Sequence, residues 1–145
     1  MSIEKIIKDI ENFGWHSLFV FDPEGEKANF HYTVGLEESY SHPEILIFGL
    51  SQDSGHGILT DLVEEIKSGK PFEPNLKLSE VIGGSFDVMF KPVRNPLDIE
   101  YLAGAQNYYK KNFRAYVMFW PDKENVLPTE KTCTVTTQNE ALEIV

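Results

Sequence analysis

The residues of this sequence with the most versatile chemistry are its four histidines, His16, His31, His42 and His56. Imidazole is the commonest metal ligand in proteins and the usual acid–base group near neutral pH. No two of the four have ligand spacing on one element, and His16 and His31 would meet only across a hairpin, with Glu44 or Asp87 as a third ligand. An exposed strand face that carries two histidines is the simpler interpretation, so we predict no metal site.

A second candidate is the polar segment 39–44, Ser-Tyr-Ser-His-Pro-Glu, which leads into an apolar run. Polar side chains near the end of a sheet often line a ligand crevice. In a catalytic reading His42 or His31 would be the base, and Glu44 or Tyr32 would orient it or donate a proton. The alternative is a turn in which the His42 side chain caps backbone groups.

Basic and aromatic residues concentrate between positions 91 and 116, although the chain as a whole is acidic. The group consists of Lys91, Arg94, Lys110, Lys111, Arg114, Tyr101, Tyr108, Tyr109 and Tyr116. Cations beside aromatic rings suit an anionic planar ligand such as a nucleotide. We therefore predict Arg94, Tyr108, Lys110 and Arg114 as ligand-binding residues. The alternative is that the lysines interact with a helix dipole and the tyrosines belong to the core.

Nucleophile and phosphate motifs are weak in this sequence. Cys133 has no basic residue closer than Lys131, which predicts an unreactive thiol. The Gly-x-Ser-x-Gly, phosphate-loop and Gly-x-Gly-x-x-Gly motifs are absent. Residues 54–57, Ser-Gly-His-Gly, open a predicted helix and would offer backbone N–H groups to an anion, as any helix start does.

Periodicity and turn residues predict the elements that must position these groups. The predicted helices span about 2–12, 53–68 and 96–111, and the predicted strands span about 15–21, 29–35, 44–50, 85–90 and 114–120. The first two strands form a hairpin. Pairing Phe19 with Phe30 would put Tyr32 on their face of the sheet and His16 with His31 on the other. The nearly continuous apolar run at 44–50 predicts a central strand.

This order of elements predicts an α+β fold, in which about three helices form a single layer on a mixed, mainly antiparallel sheet. We find neither a repeat nor a linker long enough to divide the chain. Residues 1–145 are therefore predicted to form one domain, with a core over about 2–121. The sequence pattern does not place the tail, 122–145.

Charge and cysteine content restrict the classes of function. Lys plus Arg number 13 and Asp plus Glu 23, a formal net charge of −10. This charge repels phosphate backbones and anionic lipids, so we predict neither general nucleic-acid binding nor membrane binding. The single cysteine excludes an intrachain disulfide, and with no signal-like apolar run at the start of the sequence it favours the cytoplasm.

Two functions remain open. The first is a non-catalytic binding module that sequesters a small anionic or nucleotide-like ligand, or inhibits a basic protein partner as immunity-type or defence proteins do through charge steering. The second is a small hydrolase or lyase that uses His42 or His31 with Glu44 or Tyr32. Neither the oligomeric state nor any cofactor follows from the residues.

Four strings in a fixed order resemble the small bacterial domain-of-unknown-function family numbered 4262. They are Gly-Trp-His at 14–16, Phe-x-Tyr-Thr-Val-Gly-Leu at 30–36, His-Pro-Glu at 42–44 and Gly-Leu at 49–50. The similarity spans about residues 10–121, and the tail departs from the family's pattern. The family has no established activity, so the resemblance implies a compact bacterial cytoplasmic domain.

The same strings suggest where a site would lie. Gly35 and Gly49 each end a predicted strand. If those strand ends are adjacent, the crevice beside Tyr32, His42 and Glu44 is the predicted site.

Overall fold

Five strands form one sheet in the computed structural model, which describes residues 3–145. The strands are β1 (His16–Val20), β2 (Phe30–Val34), β3 (Glu44–Phe48), β4 (Met89–Pro92) and β5 (Ala115–Phe119), in the spatial order β1-β2-β3-β5-β4. Only β3 and β5 are parallel, and the other three pairs are antiparallel. The predicted α+β class, its mainly antiparallel mixed sheet and the central position of β3 are confirmed.

Helices cover both faces of this sheet, which corrects the predicted single layer of about three. They are α1 (Ile3–Phe13), α2 (Leu36–Tyr40), α3 (Gln52–Lys67), α4 (Ala103–Tyr109) and α5 (Asn139–Leu142). Helices α1, α4 and α5 bury Ile6, Ala105 and Ala141 against one face, and α3 buries Leu59 and Leu62 against the other. Because β3 is apolar on both sides, each of its faces needs a cover. Among the described residues, no helix is long and apolar enough to cross a membrane.

The predicted helix over 96–111 is wrong in its first half. Two 3-10 turns, Pro96–Asp98 and Glu100–Leu102, precede the short helix α4. Asn95 has a φ of 49° and its side chain forms no capping hydrogen bond, and Ile99 is extended between the turns. Gln106 ties the turns to α4, because its Nε2 donates to the carbonyls of Pro96 (2.8 Å) and Ile99 (2.7 Å). Asn95 followed by Pro96 is a favourable local start for a helix, and tertiary hydrogen bonds here outweigh that preference.

The β1–β2 hairpin is shifted by one residue from the predicted register. Phe19 pairs with His31, not with Phe30. This register buries Phe30 in the core under α1 and α4 and turns His31 toward α3. His16 therefore lies on the opposite face from His31, and the two cannot share a metal. Within residues 3–145 no three His, Cys, Asp or Glu side chains are grouped to hold a metal ion.

Residues 122–145 complete the core, which therefore extends beyond the predicted limit of about 121. Leu127 and Ala141 are fully buried. The buried Gln138 amide pairs with the backbone of Trp120 in both directions, accepting from its N–H (3.0 Å) and donating to its carbonyl (2.8 Å). The tail thus satisfies the polar groups just beyond β5.

Helix α3 approaches β2 closely because residue 55 is glycine. A Cβ at this position would lie 2.1 Å from Cε1 of the buried His31 ring. That ring also hydrogen-bonds the Gln52 carbonyl through Nε2 at 3.0 Å. Gly57, two residues later on the same helix, has no atom within 4 Å of an added Cβ.

We expect Gly55→Ala to lower the free energy of unfolding by about 1–3 kcal/mol, because the methyl group overpacks a closed contact. The matched control, Gly57→Ala, should raise it by about 0.5–1 kcal/mol through helix propensity alone. Urea unfolding of both variants measures the difference. Equal stabilities for the two alanine variants would contradict the close contact.

Candidate functional site

Glu44, the first residue of β3, places a fully buried carboxyl group at the end of the sheet. Five donors surround it. They are the Thr33 hydroxyl (2.8 Å), the backbone N–H groups of Gly35 (3.2 Å), Leu36 (3.1 Å) and Glu37 (3.1 Å), and the Tyr109 hydroxyl. A buried charge is tolerated only when it is bonded in this way. The carboxylate therefore holds the start of α2 against β3.

The local sequence builds this arrangement. Gly35 has a φ of 116°, in the region that favours glycine, and an added Cβ would lie 2.9 Å from the Gly14 carbonyl oxygen. The turn at Gly35 directs three successive N–H groups toward Glu44. Thr33 Oγ1 accepts from the Ile45 N–H at 3.0 Å, so its own hydrogen is free to go to Glu44.

Two effects oppose each other in the titration of Glu44. The five donors favour the ionised carboxylate, whereas removal from water favours the neutral acid. Burial is the larger effect and raises the pKa of Glu44 to about 7. Burial and the neighbouring Glu44 charge raise the pKa of Tyr109 as well. Glu44 and Tyr109 are thus a coupled pair, and their protonation states belong to the pair.

Tyr109 connects this buried group to an open cleft, which we call the tyrosine cleft. Its volume is about 510 Å³, and its lining residues are Glu37, Glu38, Tyr108, Tyr109, Lys111 and Asn112. The Tyr108 hydroxyl donates to Glu38, and burial together with this bond raises the pKa of Tyr108 to about 12. The rings of Tyr108 and Tyr109 meet edge to face, 5.1 Å apart. Two acidic side chains and two phenols thus dominate the walls.

Arg114 is committed to an internal ion pair beside this cleft. Its Nε and Nη2 donate to the two oxygens of Glu37 at 2.9 and 2.6 Å, and Nη2 also donates to the Ser41 carbonyl. This hydrogen-bonded fork holds the pKa of Glu37 below its usual range. The Arg114 guanidinium, which the sequence predicts to bind an anionic ligand, is therefore already paired with the Glu37 carboxylate of the same chain.

The other predicted ligand-binding residues of the basic cluster are dispersed. Arg94 Nη2 donates to the Glu143 carbonyl at 2.8 Å, near the C-terminal end. Lys110 is exposed at the end of α4, with a φ of 53°. Of the four, only Tyr108 lines the tyrosine cleft. The structure does not gather Arg94, Lys110 and Arg114 around one ligand.

His42 is buried with both ring nitrogens engaged. Nδ1 donates to the Pro43 carbonyl (2.8 Å), because Nε2 accepts from the Phe72 N–H (3.2 Å). The ring meets Phe72 and Tyr116 edge-on, and burial lowers its pKa. This geometry matches the turn-capping alternative, in which His42 anchors the segment at Phe72, and leaves no free nitrogen for a base.

The predicted crevice beside Tyr32, His42 and Glu44 does not form. Tyr32 points into the core under α4, where its hydroxyl accepts from the Gly104 N–H at 2.9 Å and burial raises its pKa to about 12. His42 packs with the residues on the α3 face. His31 is also on that face, buried, with its pKa lowered by burial. Of these candidates only Glu44 is next to the tyrosine cleft, through Tyr109.

Sequence reasoning missed Glu37, Glu38 and Asn112 as cleft residues. Helix α2 has only five residues, which is too few for a helical period to appear in the sequence. In the sequence, Tyr109 and Lys111 belong to the aromatic and basic group, but they are not among the predicted ligand-binding residues. The pair Glu37-Glu38 directly after Gly35 is the available signal, since acidic residues are favoured in the first turn of a helix.

The fold and the site together define an α+β domain organised around a buried glutamate and an acidic, tyrosine-lined cleft. The sequence model of the family described as Domain of unknown function (DUF4262) matches residues 9–134. The chain belongs to this family. Comparison with curated proteins and with solved structures found no match.

We expect the stability of the domain to depend on the ionisation of Glu44. Its pKa rises from 4.5 when unfolded to about 7 when folded, so the folded state holds a proton that the unfolded chain releases between these values. The stabilisation is complete below pH 4.5 and is lost as the pH rises through 7, an effect on the order of 3 kcal/mol. The difference in unfolding free energy between wild type and Glu44→Gln should therefore shrink across this range.

The difference isolates Glu44 because His31 and His42, which act with the opposite sign, are present in both proteins and their contributions cancel. Burial lowers their pKa values, so their contribution is present above pH 6.5 and falls as the pH drops. A carbon-13 NMR titration of the Glu44 carboxyl group in the wild-type protein gives the same information if the variant unfolds. A midpoint near pH 4.5, or a pH-independent difference, would contradict the prediction.

Proposed function

We propose that this domain is a binding module that receives a cationic group, a lysine or arginine side chain on a basic protein partner, in the tyrosine cleft. The observation that carries the proposal is the state of Glu38 at the wall of that cleft. Its carboxylate is bonded by the neutral Tyr108 hydroxyl, and within residues 3–145 it forms no ion pair. Glu38 therefore retains a negative charge for a partner.

The charges around the cleft support a cation over an anion. Glu37 is neutralised by Arg114, whereas Glu38 is not. Lys111 is the one basic residue in the lining. The phenol rings of Tyr108 and Tyr109 add a surface that attracts cations by their π faces. An anionic nucleotide would have to displace Glu37 from Arg114 before it could use that guanidinium.

The net charge of −10 supports an inhibitory or immunity-type role. Acidic surfaces steer basic partners and raise the rate of association at low ionic strength. Such a protein acts by occupying the partner's surface, and needs no chemistry at the cleft. The single cysteine suits the reducing bacterial cytoplasm in which we place the domain.

The hydrolase or lyase based on His42 or His31 receives less support. Both rings are buried, and His42 has no free nitrogen. A general base must reach the proton that it abstracts. We therefore favour the binding module over that alternative.

Binding of a fluorescent hexa-arginine peptide to wild type, Glu38→Gln and Tyr108→Phe tests the proposal. Removal of the Glu38 charge should weaken binding about tenfold, because it deletes a charge-assisted contact. Tyr108→Phe should weaken it less, since it removes a neutral bond that positions Glu38. The matched control is Glu26→Gln, the same charge change in the β1–β2 turn outside the cleft, which should weaken binding less than about twofold.

Equal effects of Glu38→Gln and Glu26→Gln would mean that only the overall charge attracts the peptide, and would overturn the proposed cleft. A thermal-shift series with ATP and other nucleotides tests the competing ligand. A bound ligand present well above its dissociation constant raises the melting temperature. Stabilisation by nucleotides without binding of the basic peptide would favour an anionic ligand instead.

A further inference from the structure

A second cleft lies on the other side of the sheet, where β1 and β2 meet the start of α3. We call it the Ser17 cleft. Its volume is about 350 Å³, and its lining residues are Ser17, Phe19, His31, Gln52, Asp53 and His56. It shares no lining residue with the tyrosine cleft.

The Ser17 hydroxyl and the His56 ring form a nucleophile–base pair. Ser17 Oγ lies 3.1 Å from His56 Nδ1, so the hydroxyl donates to Nδ1 when the ring carries its proton on Nε2. The Trp15 ring lies nearly parallel to the His56 ring, at 17° with 6.4 Å between centroids. A hydroxyl within hydrogen-bond reach of an oriented imidazole is the arrangement that activates serine as a nucleophile.

The His31 ring forms part of the floor of this cleft. Its ring is fully buried, and Nε2 is bonded to the Gln52 carbonyl at 3.0 Å. Nδ1 is the one buried side-chain nitrogen or oxygen atom within the described residues that lacks a partner. Because a Cβ at Gly55 would lie 2.3 Å from Nδ1, this nitrogen faces the backbone of α3, and the proposal below does not depend on it.

The start of α3 adds hydrogen-bond donors to the same cleft. Gln52 and Asp53 are the first two residues of this 16-residue helix, so their backbone N–H groups have no acceptor within the helix. Such groups stabilise an oxyanion that develops during acyl transfer. The Phe19 ring offers an apolar wall for an acyl chain, and the Asp53 carboxylate disfavours anionic substrates.

We propose that Ser17 is a nucleophile, activated by His56, that accepts the acyl group of small uncharged esters. His56 Nδ1 takes the hydroxyl proton as Ser17 Oγ bonds to the carbonyl carbon. The ester C–O bond then breaks, and the leaving alcohol or phenol takes the proton from the imidazolium. Water then attacks the acyl-serine ester while His56 Nδ1 takes a proton from it, and the imidazolium returns that proton to Ser17 Oγ as the acid leaves. The sum of the steps is hydrolysis of an ester to an acid and an alcohol.

Acetylation of the protein by p-nitrophenyl acetate tests this activity. Peptide mass spectrometry should find Ser17 acetylated at least about a hundredfold faster than Ser54, because general-base assistance contributes that much and the Ser54 hydroxyl forms no hydrogen bond to an imidazole. His56→Phe keeps an aromatic ring beside Trp15 and should reduce Ser17 acetylation to the Ser54 level. Ser17→Ala should abolish release of p-nitrophenolate above the background of lysine acetylation.

His56 is exposed and Ser17 half-buried, so these variants are expected to fold, which circular dichroism verifies. Ser17 acetylation that equals Ser54 acetylation, or that is unchanged by His56→Phe, would overturn the proposal. Either result is expected if the hydrogen bond between Ser17 and His56 only connects β1 to α3 and does not activate the serine. The outcome is independent of the tyrosine cleft, because the peptide-binding variants and the acetylation variants share no residue.

Discussion

The need to bond one buried carboxyl group governs the arrangement of the sheet end. Glu44 is removed from water completely, and its five donors come from β2, the start of α2 and α4. An unpaired carboxylate in this position would cost several kcal/mol, so these segments must meet at a fixed geometry. The strings Thr-Val-Gly-Leu at 33–36 and His-Pro-Glu at 42–44 are therefore two halves of one network. His42, two residues before Glu44, anchors the α3 side of the sheet by accepting a hydrogen bond from the Phe72 N–H.

The positions of the tyrosine cleft and the Ser17 cleft follow from the way in which polar side chains are divided between the two faces of the sheet. On the α4 side, the network around Glu44 ends at Tyr109, which is half-buried and opens to the solvent. On the α3 side, His31 and Ser17 share a face with Phe19 because of the observed hairpin register. Gly55 then lets α3 begin directly over His31. Each cleft thus combines one buried polar group with exposed ones.

The sequence predicts the fold class, the central strand, and helices close to α1 and α3, because these segments have strong hydrophobic periods. Prediction from the sequence fails where the structure is determined by contacts between residues that are far apart in the chain. The helix start at Asn95 has favourable local signals, yet Gln106 holds two 3-10 turns in its place. A one-residue shift of the hairpin reverses the faces of His16 and His31. The sequence predicts Glu44 as a site residue, but its partner Tyr109 is 65 residues away. The two acidic residues of the tyrosine cleft lie on α2, which is too short for a helical period of hydrophobic residues to appear in the sequence.

The contribution of Gln138 to the end of β5 has a consequence for biosynthesis. The family model matches this chain only as far as residue 134, yet Gln138, Ala141 and Ile144 are buried in the core. On the ribosome, the aromatic strand β5 emerges well before the amide that satisfies the backbone of Trp120. A nascent chain that stalls before residue 138 would expose apolar surface beside unpaired backbone groups, and such species aggregate. Chaperone capture should therefore persist until residues 138–144 have left the exit tunnel.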